Sequence, residues 1–114
     1  MTPGNTPLLC PQGATFRRTL TYKIGRKVVD LTNFVARMQV RENYDSASTV
    51  VSLTSTQGIT LGGTAGTIII YISATDTKNI KAGIYVYDLE IQSLDGDVIR
   101  LLQGKFTVSP EVTR

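Results

Sequence analysis

Side chains able to do acid–base or nucleophilic chemistry are scarce in this chain of 114 residues. It has no histidine and one cysteine, Cys10, so neither a Ser-His nor a Cys-His nucleophilic pair can form within it. Acid–base catalysis needs two convergent titratable groups, but Asp88 and Glu90 share the outward face of one predicted strand. A glycosidase-type pair of distant carboxylates, such as Asp30 with Asp76, stays open, although no spacing favours one. We therefore predict that the protein is not an enzyme.

Cofactor and metal sites are not predicted either. A single cysteine and no histidine exclude an internal disulfide, a thiolate zinc site and the usual imidazole ligands. Asp95 and Asp97 flank Gly96 in a turn that offers too few oxygen ligands for calcium. The Gly62-Gly63 pair is not followed by the Gly-Lys-Ser/Thr of a phosphate loop, so it predicts a turn.

The composition is that of one small folded domain. Hydrophobic residues make up 41% and charged residues 18%, which is the reverse of a disordered chain. The formal net charge of +3 is spread over several segments, whereas nucleic-acid binders concentrate their basic residues, so nucleic acid is a disfavoured partner. The first residues lack the basic region and long apolar stretch of a signal peptide or anchor, so no membrane partner is expected.

Alternation of apolar and polar residues predicts a series of short strands. One of them, residues 67–72, is apolar on both faces, which favours a central strand covered on each side or one lying against another subunit. A polar crossing at residues 76–81, with room for a single helical turn, separates two of the strands. The predicted strands cover residues 14–24, 36–41, 49–54, 67–73, 85–92 and 98–108.

About seven strands and no amphipathic helix of useful length favour an all-β fold, an immunoglobulin-like two-sheet β-sandwich. The spacing of Gly83, Tyr85 and Tyr87 is that of a tyrosine corner in such domains, with plain cross-strand packing as the alternative. Residues 1–13 hold three of the four prolines and show no periodicity, so they predict an extended N-terminal arm. The sandwich domain is then residues 14–114, and Cys10 in the arm is interpreted as a buried or merely tolerated thiol.

The order of several short motifs resembles a known family, the small immunoglobulin-like domains of tailed bacteriophages, which include the N-terminal domain of upper baseplate proteins. The resemblance covers the chain from about Gly13 to its C terminus. The motifs that carry it are Gly25-Arg26-Lys27-Val28-Val29-Asp30-Leu31-Thr32, Ala36-Arg37-Met38-Gln39-Val40-Arg41, Ile72-Ser73-Ala74-Thr75-Asp76-Thr77 and Ala82-Gly83-Ile84-Tyr85-Val86-Tyr87-Asp88-Leu89.

What the resemblance implies is a structural protein of the virion, made in the host cytoplasm and assembled in multiple copies in the tail, baseplate or fibre-attachment region. A capsid decoration or head-fibre protein of the same fold is the nearest alternative. An alternative of another class is a carbohydrate-binding or adhesion module. Such a module places several exposed aromatic side chains on one surface, and the candidates here are Phe34, Tyr44 and Tyr71.

Contacts with other virion proteins, or with further copies of the chain, are predicted at positions that alternation leaves exposed. Arg37 and Arg41 lie on an outward strand face, where either a solvated face or a partner or phosphate contact would suit them. Replacing both with glutamate is expected to abolish assembly without unfolding the domain. The predicted contact residues are Leu8, Leu9, Arg37, Arg41 and Tyr71.

Overall fold

The structure, a computed structural model, describes residues 4–113 and is built mainly from β-strands. The elements are β1 (Gly4–Asn5), β2 (Leu8–Pro11), β3 (Phe16–Thr21), β4 (Lys23–Ile24), β5 (Lys27–Val28), β6 (Val35–Arg41), β7 (Val51–Thr54), β8 (Ile59–Leu61), a 3-10 turn (Gly63–Ala65), β9 (Thr67–Ile72), α1 (Ala74–Lys78), β10 (Gly83–Gln92) and β11 (Val98–Ser109). All six predicted strands are present, and β8 lies within a segment predicted to be turns. The predicted helical turn is α1, which Ser73 caps by accepting a hydrogen bond from the Asp76 amide at 3.1 Å.

Two sheets form a sandwich. The larger sheet has the order β1-β11-β10-β6-β7, with β2 also paired to β11, and the smaller sheet has the order β3-β9-β8. If β3, β6, β7, β8, β9, β10 and β11 are matched to strands B, C, C′, D, E, F and G, the orders B-E-D and G-F-C-C′ are those of an immunoglobulin domain. The predicted immunoglobulin-like β-sandwich is confirmed.

The core lies between the inward faces of the two sheets. From Tyr85 to the end of β10 the burial alternates strictly, because side chains two residues apart share one face of a strand. An aromatic cluster joins the sheets: the ring centroids of Phe16 in β3 and Phe106 in β11 are 5.4 Å apart, and Tyr87 lies 6.4 Å from Phe106. The fully buried side chains of largest volume are Phe16, Phe106, Leu31, Met38, Ile68, Ile70, Leu89 and Ile91.

The N-terminal segment is extended, but it belongs to the larger sheet, and this corrects the predicted domain boundary at residue 13. β1 and β2 run parallel to β11, with Leu8 opposite Phe106 and Cys10 opposite Val108. Cys10 is a free, buried thiol as predicted, and burial raises its pKa. Pro7 and Pro11 are tolerated here because Pro7 lies between β1 and β2, and Pro11 is the last residue of β2 at the edge of the sheet.

Arg18 links this N-terminal strand to the other sheet. Its guanidinium carbon lies 4.5 Å from the centroid of the Phe16 ring, and Nη2 donates a hydrogen bond to the Leu9 carbonyl at 2.9 Å. The side chain starts from the inward register of β3, opposite Ile70, but β3 is an edge strand, so its charged end reaches out beside β2. The two sheets are therefore joined at this edge by a side chain as well as by the core.

Tyrosine hydroxyls on β10 fix two flanking segments. The Tyr85 hydroxyl donates to the Lys81 carbonyl four residues upstream, which is the predicted tyrosine corner. The Tyr87 hydroxyl donates to the Thr6 carbonyl at 2.6 Å and so holds the link between β1 and β2. This close approach requires glycine opposite Tyr87, because a Cβ on Gly104 would lie 2.8 Å from the Thr6 oxygen, at a φ of +153°.

Because of the Tyr87 hydroxyl, the free energy of unfolding should depend on pH in the alkaline range. Burial raises the pKa of Tyr87 from 10.0 to about 12, since the ionised form is disfavoured in the folded chain. The contribution of the protonated Tyr87 hydroxyl to the free energy of unfolding is thus complete below pH 10 and is lost as the pH rises toward 12. Between these limits we expect the wild-type free energy of unfolding to fall by about 2 kcal/mol more than that of Tyr87→Phe. Urea unfolding measures the difference, with Tyr44→Phe as an exposed control, and parallel curves for all three proteins would contradict it.

Candidate interaction surfaces

The outer face of the larger sheet carries a group of charged side chains, which we name the charged face: Arg37, Arg41, Asp88, Glu90 and Arg100. Arg37 Nε lies 2.9 Å from Glu90 Oε1, and Arg100 Nε lies 3.6 Å from Asp88 Oδ2 and 4.0 Å from Glu90 Oε2. Partial burial, and then the neighbouring Glu90 charge, raise the pKa of Asp88. Asp88 and Glu90 do share an outward face, as predicted, but Asp88 faces Arg100 and Glu90 faces Arg37.

The two arginines predicted to contact partners therefore already have partners inside the chain. Arg37 also donates to the Gln92 side chain at 3.1 Å. Arg41 donates to the Ser46 carbonyl and to the Gln39 side chain, both at 2.9 Å. Both arginines are half-buried, so a contact with another molecule would have to use the part of each guanidinium that these bonds leave open.

The leader residues predicted to contact partners lie on opposite faces of β2. Leu9 is 54% exposed and lies in one cross-strand row with Thr107 and Ile84, the last of which is 65% exposed. Leu8 is only 8% exposed, and its prediction as a contact residue is wrong. The physical reason is that successive side chains of a strand point to opposite faces, so only one of two adjacent leucines can face outward.

Tyr71 lies on the outer face of the smaller sheet. The guanidinium carbon of Arg17 on the neighbouring strand is 5.1 Å from its ring centroid, and the tyrosine remains 38% exposed. β9 is the central strand of this sheet, as predicted, but the described chain covers only its inward face. The outward Ile69 is half-buried between its neighbours, so the chain itself does not cover both sides, and contact of this face with another subunit stays a prediction.

The three candidate aromatic residues do not share a surface. Tyr44 is 74% exposed and lines two small depressions on the outer face of the larger sheet, one with Arg41 and one with Lys105. Tyr71 faces outward from the other sheet, and Phe34 packs against the core. The arrangement of several aromatic side chains on one face, which the carbohydrate-binding alternative requires, is not formed by these residues.

A groove that the sequence did not predict lies between the free edge of β7 and the end of β9. It has a volume of about 640 Å³ and an apolar floor that includes Leu53, Ile72 and Ile80. Its rim carries Asp76 and Lys81, so its charge is mixed. Because the lining comes from segments far apart in the chain, no local pattern marks it.

Within residues 4–113, no group of three or more His, Cys, Asp or Glu side chains is placed to hold a metal ion. Over the same range, we find no helix with the length and apolar character needed to cross a membrane.

Comparisons with known proteins find a structural similarity and no match in sequence. No family model matches the sequence, and no curated protein sequence matches it. The crystal structure of CopC from Methylosinus trichosporium OB3b aligns with 100% of this chain and 90% of that chain, at 13% sequence identity and a TM-score of 0.49. The assignment of an immunoglobulin-like sandwich rests on the chain's own strand order and register.

Proposed function

We propose that this protein is a non-enzymatic structural component of a tailed-phage virion, present in multiple copies in the tail, baseplate or fibre-attachment region. The observation that carries the proposal is an agreement between the sequence motifs and the fold. The motifs resemble those of phage immunoglobulin-like domains, and the chain has the strand order and the tyrosine corner of an immunoglobulin-like domain. The role follows from the resemblance, and the fold supports it.

The surface suits a protein that packs between neighbours. The outer face of the larger sheet has an exposed apolar pair, Leu9 and Ile84, beside the charged face. The outer face of the smaller sheet exposes Tyr71. In a symmetric assembly each modest contact recurs many times, so no single high-affinity site is needed. The partners in this proposal are other virion proteins and further copies of the chain, and neither a membrane nor nucleic acid is among them.

Deleting the gene from the phage that encodes the chain tests this role. We expect lysates to contain particles that lack part of the tail or baseplate in electron micrographs, and we expect the missing protein supplied from a plasmid to restore them. Intact tails on heads that have lost a surface layer would favour the capsid alternative. Complete, infectious particles without the protein would contradict a structural role.

The contact predicted at Arg37 needs a variant that separates folding from assembly. Arg37→Glu alone places a carboxylate beside Glu90 and is expected to lower the free energy of unfolding by about 1 kcal/mol, because the pair is partly exposed. The swapped variant Arg37→Glu with Glu90→Arg should recover at least half of this loss in urea unfolding. If the swapped variant is stable but absent from particles, the Arg37–Glu90 pair contacts a partner, and its normal incorporation would remove Arg37 from the contact residues.

A further inference from the structure

One end of the sandwich, which we name the loop end, gathers the loops at residues 22–34, 62–66 and 93–97. β3 ends where β9 begins, with Thr21 opposite Thr67, so the first two loops meet there. They are joined by hydrogen bonds from the Tyr22 amide to the Gly66 carbonyl and from the Leu31 amide to the Gly63 carbonyl, both 2.8 Å. The third loop joins β10 to β11 beside Val35, the first residue of β6.

A basic hairpin projects from this end on the side of the smaller sheet. It consists of β4 and β5, joined by a turn in which Gly25 has a φ of +64°. Lys23, Arg26 and Lys27 are exposed, and Ile24 is 62% exposed. A Cβ on Gly25 would meet no described atom within 4 Å, so the tip stands clear of the body.

The base of the hairpin is fixed, although its tip is free. The Val29 amide donates to the Tyr22 carbonyl at 2.9 Å. Gly66 packs against the hairpin so closely that a Cβ there would lie 2.3 Å from Val28 Cγ1. Asp30, the carboxylate just beyond the hairpin, accepts hydrogen bonds from the Thr32 amide and hydroxyl at 2.9 and 2.6 Å. The three cations are thus presented by an ordered element.

An acidic loop lies at the same end on the side of the larger sheet. Residues 93–97 form a closed turn, with bonds from the Gly96 amide to the Ser93 carbonyl at 3.0 Å and from the Ser93 amide to the Asp97 carbonyl at 2.9 Å. Asp95 and Asp97 are exposed, and Leu94 in the same turn is 78% exposed. This loop therefore presents two carboxylates and one apolar side chain.

The opposite charges at the loop end do not neutralise each other within one copy. The three ion pairs found among residues 4–113 all involve Arg37 or Arg100 on the charged face. The basic hairpin follows a strand of one sheet and the acidic loop joins two strands of the other, so they lie on different sheets at the same end of the sandwich. Each presents its charge to solvent at one end of the molecule.

We propose that the loop end is a self-complementary surface that binds a second copy of this chain. A two-fold rotation that brings two loop ends together can set the basic hairpin of each copy against the acidic loop of the other, which forms both attractive contacts at once. The exposed Ile24 and Leu94 supply apolar area, together with Val35 and Val98, which are 49% and 50% exposed. This deepens the multiple-copy role and rests on that part of the proposed function.

Sedimentation velocity on the purified full chain tests the contact. We expect reversible, concentration-dependent dimers in about 50 mM salt that dissociate in about 500 mM salt, because exposed charges are screened. Arg26→Glu with Lys27→Glu, and separately Asp95→Lys with Asp97→Lys, should each weaken dimerisation at least tenfold. A one-to-one mixture of these two variants should restore it as a heterodimer, since both contacts then have opposite charges again.

Matched controls separate this contact from net charge. Lys78→Glu with Lys105→Glu has the same net charge as the hairpin variant, but both residues are exposed and lie away from the loop end. This control should dimerise like wild type and should not form the heterodimer with Asp95→Lys, Asp97→Lys. A wild-type chain that stays monomeric up to about 1 mM would overturn the proposal. Dimers that form equally well in the hairpin variant and in the acidic-loop variant would overturn it as well. Association only on adding an RNA oligonucleotide would assign the hairpin to nucleic acid and overturn it too.

The result of the dimerisation experiment is independent of the test for the virion role. Sedimentation is measured on the purified chain, so a monomer in solution would leave its presence in particles unchanged. Conversely, particles assembled without the protein would remove the virion role and leave a measured dimer standing.

Discussion

Removing residues 1–12 is expected to abolish the cooperative unfolding transition of this protein. The deletion removes β1 and β2 from the edge of β11, together with the buried side chains of Leu8 and Cys10. It also removes the Thr6 carbonyl that accepts from the Tyr87 hydroxyl. A single buried leucine is worth about 2–5 kcal/mol, and a domain of this size has only about 5–15 kcal/mol in total.

Circular dichroism during thermal and urea unfolding measures this effect. Removal of residues 1–3 is the control, because it leaves β1 and β2 in place, and we expect it to keep the wild-type transition. If the chain lacking residues 1–12 unfolded at the wild-type midpoint, the segment would be the free arm that its prolines suggest.

Phe106→Ala is expected to lower the free energy of unfolding by about 3–5 kcal/mol. Phe106 is fully buried and contacts aromatic rings from both sheets, Phe16 at 5.4 Å and Tyr87 at 6.4 Å between centroids. Its removal leaves a cavity where the N-terminal strand, β11 and the smaller sheet meet, and rigid backbones on three sides prevent the cavity from closing.

Urea unfolding monitored by tyrosine fluorescence gives the size of the loss. Tyr44→Ala removes an aromatic side chain that is 74% exposed, and we expect it to change stability by less than about 0.5 kcal/mol. The loss of stability in Phe106→Leu should lie between the losses in Phe106→Ala and Tyr44→Ala. A loss below about 1 kcal/mol for Phe106→Ala would contradict the placement of this ring at the junction of the sheets.

The strands that sequence alone predicts are those in which one face is buried throughout. In β6 and β10 every second side chain enters the core, so apolar and polar residues alternate in the sequence of these strands. β2 has only four residues and is bounded by prolines, and its partner β11 lies almost the whole chain away. No local pattern can indicate such a parallel pairing, which is why it was predicted to be an arm.

Contacts on the protein surface are also hard to predict from a local sequence pattern. Alternation correctly places Arg37 on an outward face, but the register that sets Arg37 beside Glu90 is a property of two strands together. The same holds for the loop end. The basic residues at positions 23–27 and the carboxylates at 95 and 97 come together only because the sandwich brings the ends of β3 and β10 to one side.

Quantitative mass spectrometry of purified virus particles from the source that encodes this chain tests the proposed virion role most directly. The proposed role predicts a low, fixed copy number that matches the rotational symmetry of the tail. A copy number on the scale of the capsid shell would instead favour the decoration alternative. Absence of the protein from clean particles would contradict the account of it as a virion component.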